Sequence, residues 1–204
     1  MVNYRVDNQE LNACRAFIGA LTKQLRNIPL FTSDELGSYM VALWEAYRTD
    51  KTLVWDSLPF SERPGAVNSD LDYAIFHKER KNCHVVRTET RIVFGDETRI
   101  YERMKGSPCK QINTSFVERF NGTLRLNDAH LHRRSQRFAK NIEYFHSRIA
   151  IVIAYYNFVR PHSSLTENND KEKFPRTPAM AKGIIDKPID LKELLATPYI
   201  TTII

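Results

Sequence analysis

Cysteine is scarce in this chain, and no hydrophobic run is long enough for a membrane. The 204 residues hold three cysteines, Cys14, Cys83 and Cys109, an odd count with no close pairing. That argues against a disulfide framework and for a reducing compartment, taken here as the cytoplasm. A zinc site built from Cys83-His84 and His130-x-His132 matches no standard ligand spacing. No stretch reads as a signal peptide. The apolar run Ile149 to Tyr156 is far short of the roughly 20 residues that cross a bilayer. Internal repeats are absent too, which leaves one well-buried core with a small appendage as the expected organisation.

What is present is ordinary globular composition with a basic balance. Hydrophobic residues make up 42% and charged residues 26%, and the net charge is +6. The expected partner is therefore an anion: nucleic acid, an acidic membrane surface or an acidic protein. The cations crowd into one region, with Arg119, Arg125, Arg133, Arg134, Arg137, Lys140 and Arg148 close together. Taken alone, such a run equally describes a solvated helix face.

Patterning along the chain alternates strand and helix. Val2, Tyr4 and Val6 predict a short strand. Leu11, Cys14, Ile18, Leu21, Leu25 and Ile28 predict a helix over about 8–27, closed by Pro29. Leu30 to Ser33 reads as a strand ending at Asp34, and a helix follows with Leu36, Met40, Leu43 and Tyr47 on one face. This order suggests a parallel α/β sheet whose sites gather at strand C-termini, where Asp34 lies. Asp34 or Ser33 can equally serve as that helix's N-cap. Arg48 to Leu71 reads as a long surface loop. Alternation over 72–78 and 84–94 reads as a β insertion, placed at about 72–103, and a loop follows around 105–110. A long helix is predicted over 135–159, with Phe138, Ile142, Phe145, Ile149, Val152, Tyr156 and Val159 forming one seam, stopped by Pro161. Its middle, Ile149 to Ala154, reads as buried all round. Ser163 to Lys173 reads as a charged loop. Thr177-Pro178 through Gly183 and Asp190-x-x-Glu193 each open a short helix, and an apolar tail runs from Thr197 to Ile204. The expected division is 1–162 and 163–204.

The most informative stretch lies between, at Ile112 to Arg125. Val117, Phe120 and Leu124 form an apolar stripe at helical spacing, with Glu118 at its edge. Arg125, seven residues on, shares the face of Glu118, with Asn121 and Gly122 between. Such an acid can hold a cation while the arginine holds a phosphate. Ser115-x-x-Glu118 is also a capping box, and in that reading Glu118 only satisfies the helix start. At the exit of the long helix, Arg160 and His162 can meet a phosphate or simply end the helix.

Ile112-Asn113-Thr114-Ser115 with Glu118-Arg119, Asn121 and Leu124-Arg125 resembles the signature of bacterial DDE transposases of the insertion-sequence-one type. Further blocks fit in the same order: Phe31 to Leu36 with Tyr39, Arg134 to Lys140, Tyr156 to His162 with Leu165, and Arg176 to Gly183. The resemblance implies a ribonuclease-H-like fold, the integrase/transposase catalytic core, with a β insertion and C-terminal helices. It implies that Asp34 and Glu118 are the second and third acids of a triad binding Mg²⁺ or Mn²⁺. Hard oxygen donors suit those ions, and two carboxylates brought together repel unless a cation separates them. It further implies double-stranded DNA as partner, both transposon ends and target, with Arg119, Asn121, Arg125, Arg133, Arg134, Lys140, Arg160 and His162 as DNA contacts. A homo-oligomer on DNA and a nucleoid-associated location follow from the same source. One departure stands out. The family's first aspartate lies on the first strand, two strands ahead of the first helix, and only one strand is predicted here; Asp7 sits too near that helix. The first strands and first acid are expected to be missing, and strand transfer impaired.

Two other readings compete: a non-catalytic DNA-binding transposase remnant or regulator, and a ribonuclease-H-like nuclease acting on RNA–DNA hybrids. In all three, binding rests on Arg and Lys contacts to phosphate. Affinity for nucleic acid, measured by fluorescence anisotropy, is expected to fall by about tenfold or more between 50 and 200 mM salt; a flat response removes the basic-face reading.

Overall fold

A computed structural model describes residues 10–105, 111–132, 136–137, 139–169 and 172–196. The predicted strand over Met1–Val6, the tail from Thr197 and most of the expected loop at 105–110 lie outside the described residues. The chain divides into two compact units, with the boundary between Glu118 and Arg119. The expected boundary after His162 therefore falls within a unit.

In the first unit, helix α1 (Leu11–Gln24) leads through Pro29 to strand β1 (Leu30–Ser33) and helix α2 (Gly37–Tyr47). The helix is shorter than its apolar repeat because Leu25 is already extended, at ψ 130°. Cys14 and Ile18 of α1 pack with Leu43 and Trp44 of α2 in one core. The segment from Arg48 to Leu71 is not the plain surface loop its composition suggests. It makes 3₁₀ turns at Trp55–Ser57 and Arg63–Ala66, and it buries Val67 and Leu71. The reason is Trp44, wholly buried: its indole donates to the Arg63 carbonyl at 2.9 Å, and Trp55 meets it edge-on at 5.5 Å. A buried indole N–H needs that acceptor.

Strands β2 (Asp72–Lys81) and β3 (His84–Phe94) form a hairpin. β2 pairs in parallel with β1, Leu30 opposite Asp72 and Ser33 opposite Ile75, so the sheet order is β1-β2-β3 with β2 central. The turn is two residues, Asn82 and Cys83, with φ 49° and 66°, as a type I′ connection requires. The alternation of β2 sorts two cores. Tyr73 and Ile75 face the α1/α2 core, while Ala74 packs with Ile100 and Ile112 on the opposite side.

The expected insertion to 103 also hid a helix, α3 (Glu97–Lys105). Asp96 starts it, accepting from the Arg99 amide at 2.9 Å. Just before it, Gly95 takes φ 100°, and any side chain there would collide with the Asp72 carboxylate and the Leu71 carbonyl. Asp72 is completely buried at the start of the central strand. Arg99 grips it through Nε (2.9 Å to Oδ2) and Nη2 (2.6 Å to Oδ1), and Arg103 Nε adds a contact at 3.1 Å. Helix α4 (Ser115–Asn127) follows and carries the unit boundary.

In the second unit, Asp128 is nearly fully buried. It accepts from the His130 amide at 2.9 Å and from two nitrogens of Arg148, each at 3.1 Å. Helix α5 (Ile142–Ala154) starts seven residues later than predicted. Asn141 caps it, its side-chain oxygen accepting from Glu143 and Tyr144 amides at 2.8 and 3.1 Å, a strong start signal. Phe138, in the predicted seam, lies outside the described residues. The middle of α5 is not buried all round: Ile149, Ala150, Ile153 and Ala154 are, but Ile151 is exposed. The helix widens into a π turn (Tyr155–Val159), where the Arg160 amide donates to the Tyr155 carbonyl at 3.0 Å. Pro161 then ends it, as expected.

The predicted charged loop after His162 is a hairpin of β4 (His162–Asn169) and β5 (Glu172–Arg176), with an Arg176–Glu167 ion pair across it. Helices α6 (Pro178–Ala181) and α7 (Leu191–Ala196) fall where expected. Thr177 caps α6, and Gly183 takes φ 67° beyond it. Ala154, Phe158, Ala179 and Leu194 form this unit's core. No described helix is long and apolar enough to cross a membrane.

Removing one partner of a buried ion pair leaves an uncompensated charge. Arg99→Ala is expected to destabilise the protein by about 3 kcal/mol in urea unfolding, whereas Arg87→Ala, on the exposed hairpin, shifts it by less than about 0.5 kcal/mol.

Candidate nucleic-acid interface

Glu118 lies in the first turn of α4 and is exposed. The capping-box reading does not describe what its side chain does. Ser115 turns to Asn113, whose side-chain oxygen accepts from the Ser115 amide at 3.0 Å and from its hydroxyl at 2.5 Å. Glu118 Oε1 instead accepts from the Thr114 hydroxyl at 2.9 Å and from the ammonium of Lys78. Lys78 itself donates to Thr114 Oγ1 at 3.1 Å, which closes a three-membered ring of side chains. Hydrogen bonds from Lys78 and Thr114, with the charges of Lys78 and Arg80, hold the Glu118 carboxyl below its ordinary pKa despite a smaller opposing effect of burial. The acid is ionised and aimed at the sheet.

Asp34 follows the last residue of β1 and is exposed. It caps nothing: α2 begins at Gly37, with Leu36 at the cap position and no side-chain cap. Ser33 does not cap either; its hydroxyl shares a 2.7 Å hydrogen bond with the Tyr73 hydroxyl and donates to the Asp34 carbonyl at 2.6 Å. Among the described residues, no hydrogen bond or ion pair engages the Asp34 carboxylate. Its charge is felt by Tyr73 and Tyr39, whose hydroxyl pKa values are raised chiefly by burial and further by Asp34.

Ser33, the last residue of β1, stands opposite Ile75, three residues short of Lys78, about 10 Å along the strand. No contact joins Asp34 and Glu118; Lys78 is what meets Glu118. Among the described residues, no group of three or more His, Cys, Asp or Glu side chains is placed to hold a metal ion. The donor chemistry of Asp34 and Glu118 suits magnesium, which accepts one or two carboxylates and completes its shell with water and phosphate oxygens. It is not a closed protein cage.

The predicted DNA contacts lie in the second unit. Arg119, Lys140 and Arg160 are exposed, and Asn121 and Arg125 are half-buried. The guanidinium groups of Arg119, Arg125 and Arg160 make no ion pair among the described residues. Arg133 and Arg134 lie outside the described residues. His162 is half-buried and packed: its ring lies 4.2 Å from that of Tyr156, and Nε2 is 3.1 Å from the Tyr156 carbonyl. Cys83 and His84 sit at an exposed hairpin end, and Cys14 is buried with its thiol pKa raised by that burial. Sequence reasoning missed Lys78 and Thr114. Lys78 was legible in principle, since period two from core-facing Ala74 puts it on the side of α4.

Residues 105–168 match the family model described as integrase core domain. The match takes in α4, with Glu118, and α5; Asp34 lies outside it. It supports a core of the integrase/transposase DDE type, a class that acts on DNA and generally uses divalent metals. The mixed three-stranded sheet is consistent with the ribonuclease-H-like fold that such a core implies. No curated protein and no solved structure matches the chain.

Lys78→Ala removes both a hydrogen bond and a positive charge from Glu118. The carboxyl pKa, followed by NMR titration, is expected to rise toward its ordinary value. Because the folded-state pKa is depressed, this contact stabilises the protein above the unfolded-state value and is lost as pH falls through the folded one. The variant should therefore show a weaker acid-side fall in stability.

Proposed function

We propose that this chain is the catalytic core of a DDE transposase of the insertion-sequence-one type, cleaving DNA strands at element ends and transferring them to target DNA. The observation that carries this reading is the integrase-core match over 105–168, within which Glu118 is held ionised at an exposed helix start. The ordered blocks from Phe31 to Gly183 support the narrower assignment.

In this reading Asp34 and Glu118 hold Mg²⁺ or Mn²⁺, which supplies Lewis-acid activation of a hydroxyl nucleophile and of the departing oxygen when bound. The remaining tasks fall to the chain itself. Lys78 and Thr114 fix the direction of Glu118. Arg119, Asn121, Arg125, Lys140 and Arg160, with Arg133, Arg134 and His162, hold phosphates of the duplex, as a homo-oligomer on DNA. A second reading, a non-catalytic DNA-binding remnant or regulator, is favoured by one observation: among the described residues the acids do not gather in threes. Impaired strand transfer follows if Asp34 and Glu118 act without a third acid.

Glu118→Ala separates the two. Nicking of a plasmid carrying element ends in Mg²⁺ is expected to drop by about 100-fold or more, the scale of removing one reacting group, while duplex affinity stays within about twofold. A parent protein that binds DNA without nicking it supports the binder.

A further inference from the structure

The β2–β3 hairpin outgrows the sheet that roots it. β1 pairs with Asp72 to Ile75, and beyond that point the ribbon is two-stranded among the described residues. Its side chains alternate, so each face can be read for charge. One face carries His77, Glu79 and Lys81, with Glu89, Arg87 and His84 opposite them. There, acids and bases are mixed and mutually engaged. Glu35 contacts His77 at 2.6 Å and Arg91 at 3.4 Å, Glu89 contacts Arg91 at 3.2 Å, and Arg87 lies 3.9 Å from Glu89.

The other face is sorted. Phe76, Lys78 and Arg80 stand along β2, with the exposed hydroxyls of Thr90 and Thr88 opposite the first two. Neither hairpin acid, Glu79 nor Glu89, belongs to this face. The acid that approaches it is Glu118, at the root, taken by Lys78. Arg80 is exposed, and its guanidinium has no hydrogen bond or ion pair among the described residues. Its charge nonetheless reaches Glu118. With Lys78 taken by Glu118, Arg80 is the cation that this face leaves for an anion such as a phosphate. Same-face neighbours on a strand lie about 7 Å apart, comparable to the step between successive phosphates along a nucleic-acid strand. A two-stranded ribbon is also slim enough for the major groove of a duplex.

We propose that this face of the ribbon, through Arg80 with the hydroxyls of Thr88 and Thr90, is a phosphate-binding arm for duplex DNA leading to Glu118. The arm rests on the DNA-processing reading above and extends it to a part of the chain outside the integrase-core match.

Fluorescence anisotropy with a duplex oligonucleotide across a salt series tests it, using the full chain, Arg80→Ala and Arg87→Ala. Arg80→Ala is expected to weaken binding several-fold at low salt and to reduce the log–log salt slope by about 0.9, the effect of one lost phosphate contact. Arg87→Ala, on the mixed face, is expected to stay within about twofold of the parent. Arg80→Lys keeps the charge and should restore the slope, which separates a lost phosphate contact from a folding defect. Equal losses in Arg80→Ala and Arg87→Ala overturn the arm, as does an unchanged Arg80→Ala in a parent that binds; either leaves the DNA reading standing. A parent with no salt-dependent affinity for DNA overturns both.

Discussion

A carboxylate buried at the start of the central strand constrains the whole first unit. Asp72 is tolerable there only because Arg99 and Arg103 converge on it, since an unpaired charge in that position would cost several kcal/mol. To bring them, the chain must reverse sharply after β3, which places Gly95 against the carboxylate, and must turn at once into α3. Arg103 also donates to the Ile28 carbonyl at 3.0 Å, so the approach to β1 is tied to the same group. One buried acid thus ties together the approach to β1, the start of β2 and the first turns of α3. Ile100 and Met104 of that helix then close the small core against Ala74 and Ile112, just ahead of the helix that bears Glu118.

The parts readable in the amino-acid order were those with a local physical cause. Leu30–Ser33, the β2–β3 alternation, and Thr177-Pro178 with Gly183 each carry their own signal, and each is found in place. Helix α3 was not readable. Apart from Tyr101, exposed on its surface, only Ile100 and Met104 are apolar in it, and the buried partner that fixes it, Asp72, is distant in sequence. The β4–β5 hairpin was hidden for a related reason. An exposed two-stranded ribbon buries little, so its Ser, Thr, Asn and Glu residues look like a loop. The segment from Arg48 to Leu71 has loop composition, yet the hydrogen-bonding need of a distant indole organises it.

At the site, residue identity was legible and geometry was not. Glu118 stood out by its neighbours Asn121, Gly122 and Arg125. Capping and ligand roles could not be told apart along the chain, because Ser115-x-x-Glu118 satisfies both. What the chain order does not show is Lys78, forty residues away, which pulls the carboxylate toward the sheet. Among the described residues Asp34 has no such partner, and it follows the parallel pairing of β1 on β2 directly.

The hairpin end has a geometric corollary. Two successive left-handed residues, Asn82 and Cys83, and a ladder irregularity at Glu79/Arg80 both deepen right-handed coiling of paired strands. A row of side chains on such a ribbon is therefore a spiral staircase. A straight rod laid against it would touch a step or two and then part from it. Something that winds with the same hand, as a groove of the double helix does, can stay in touch from landing to landing.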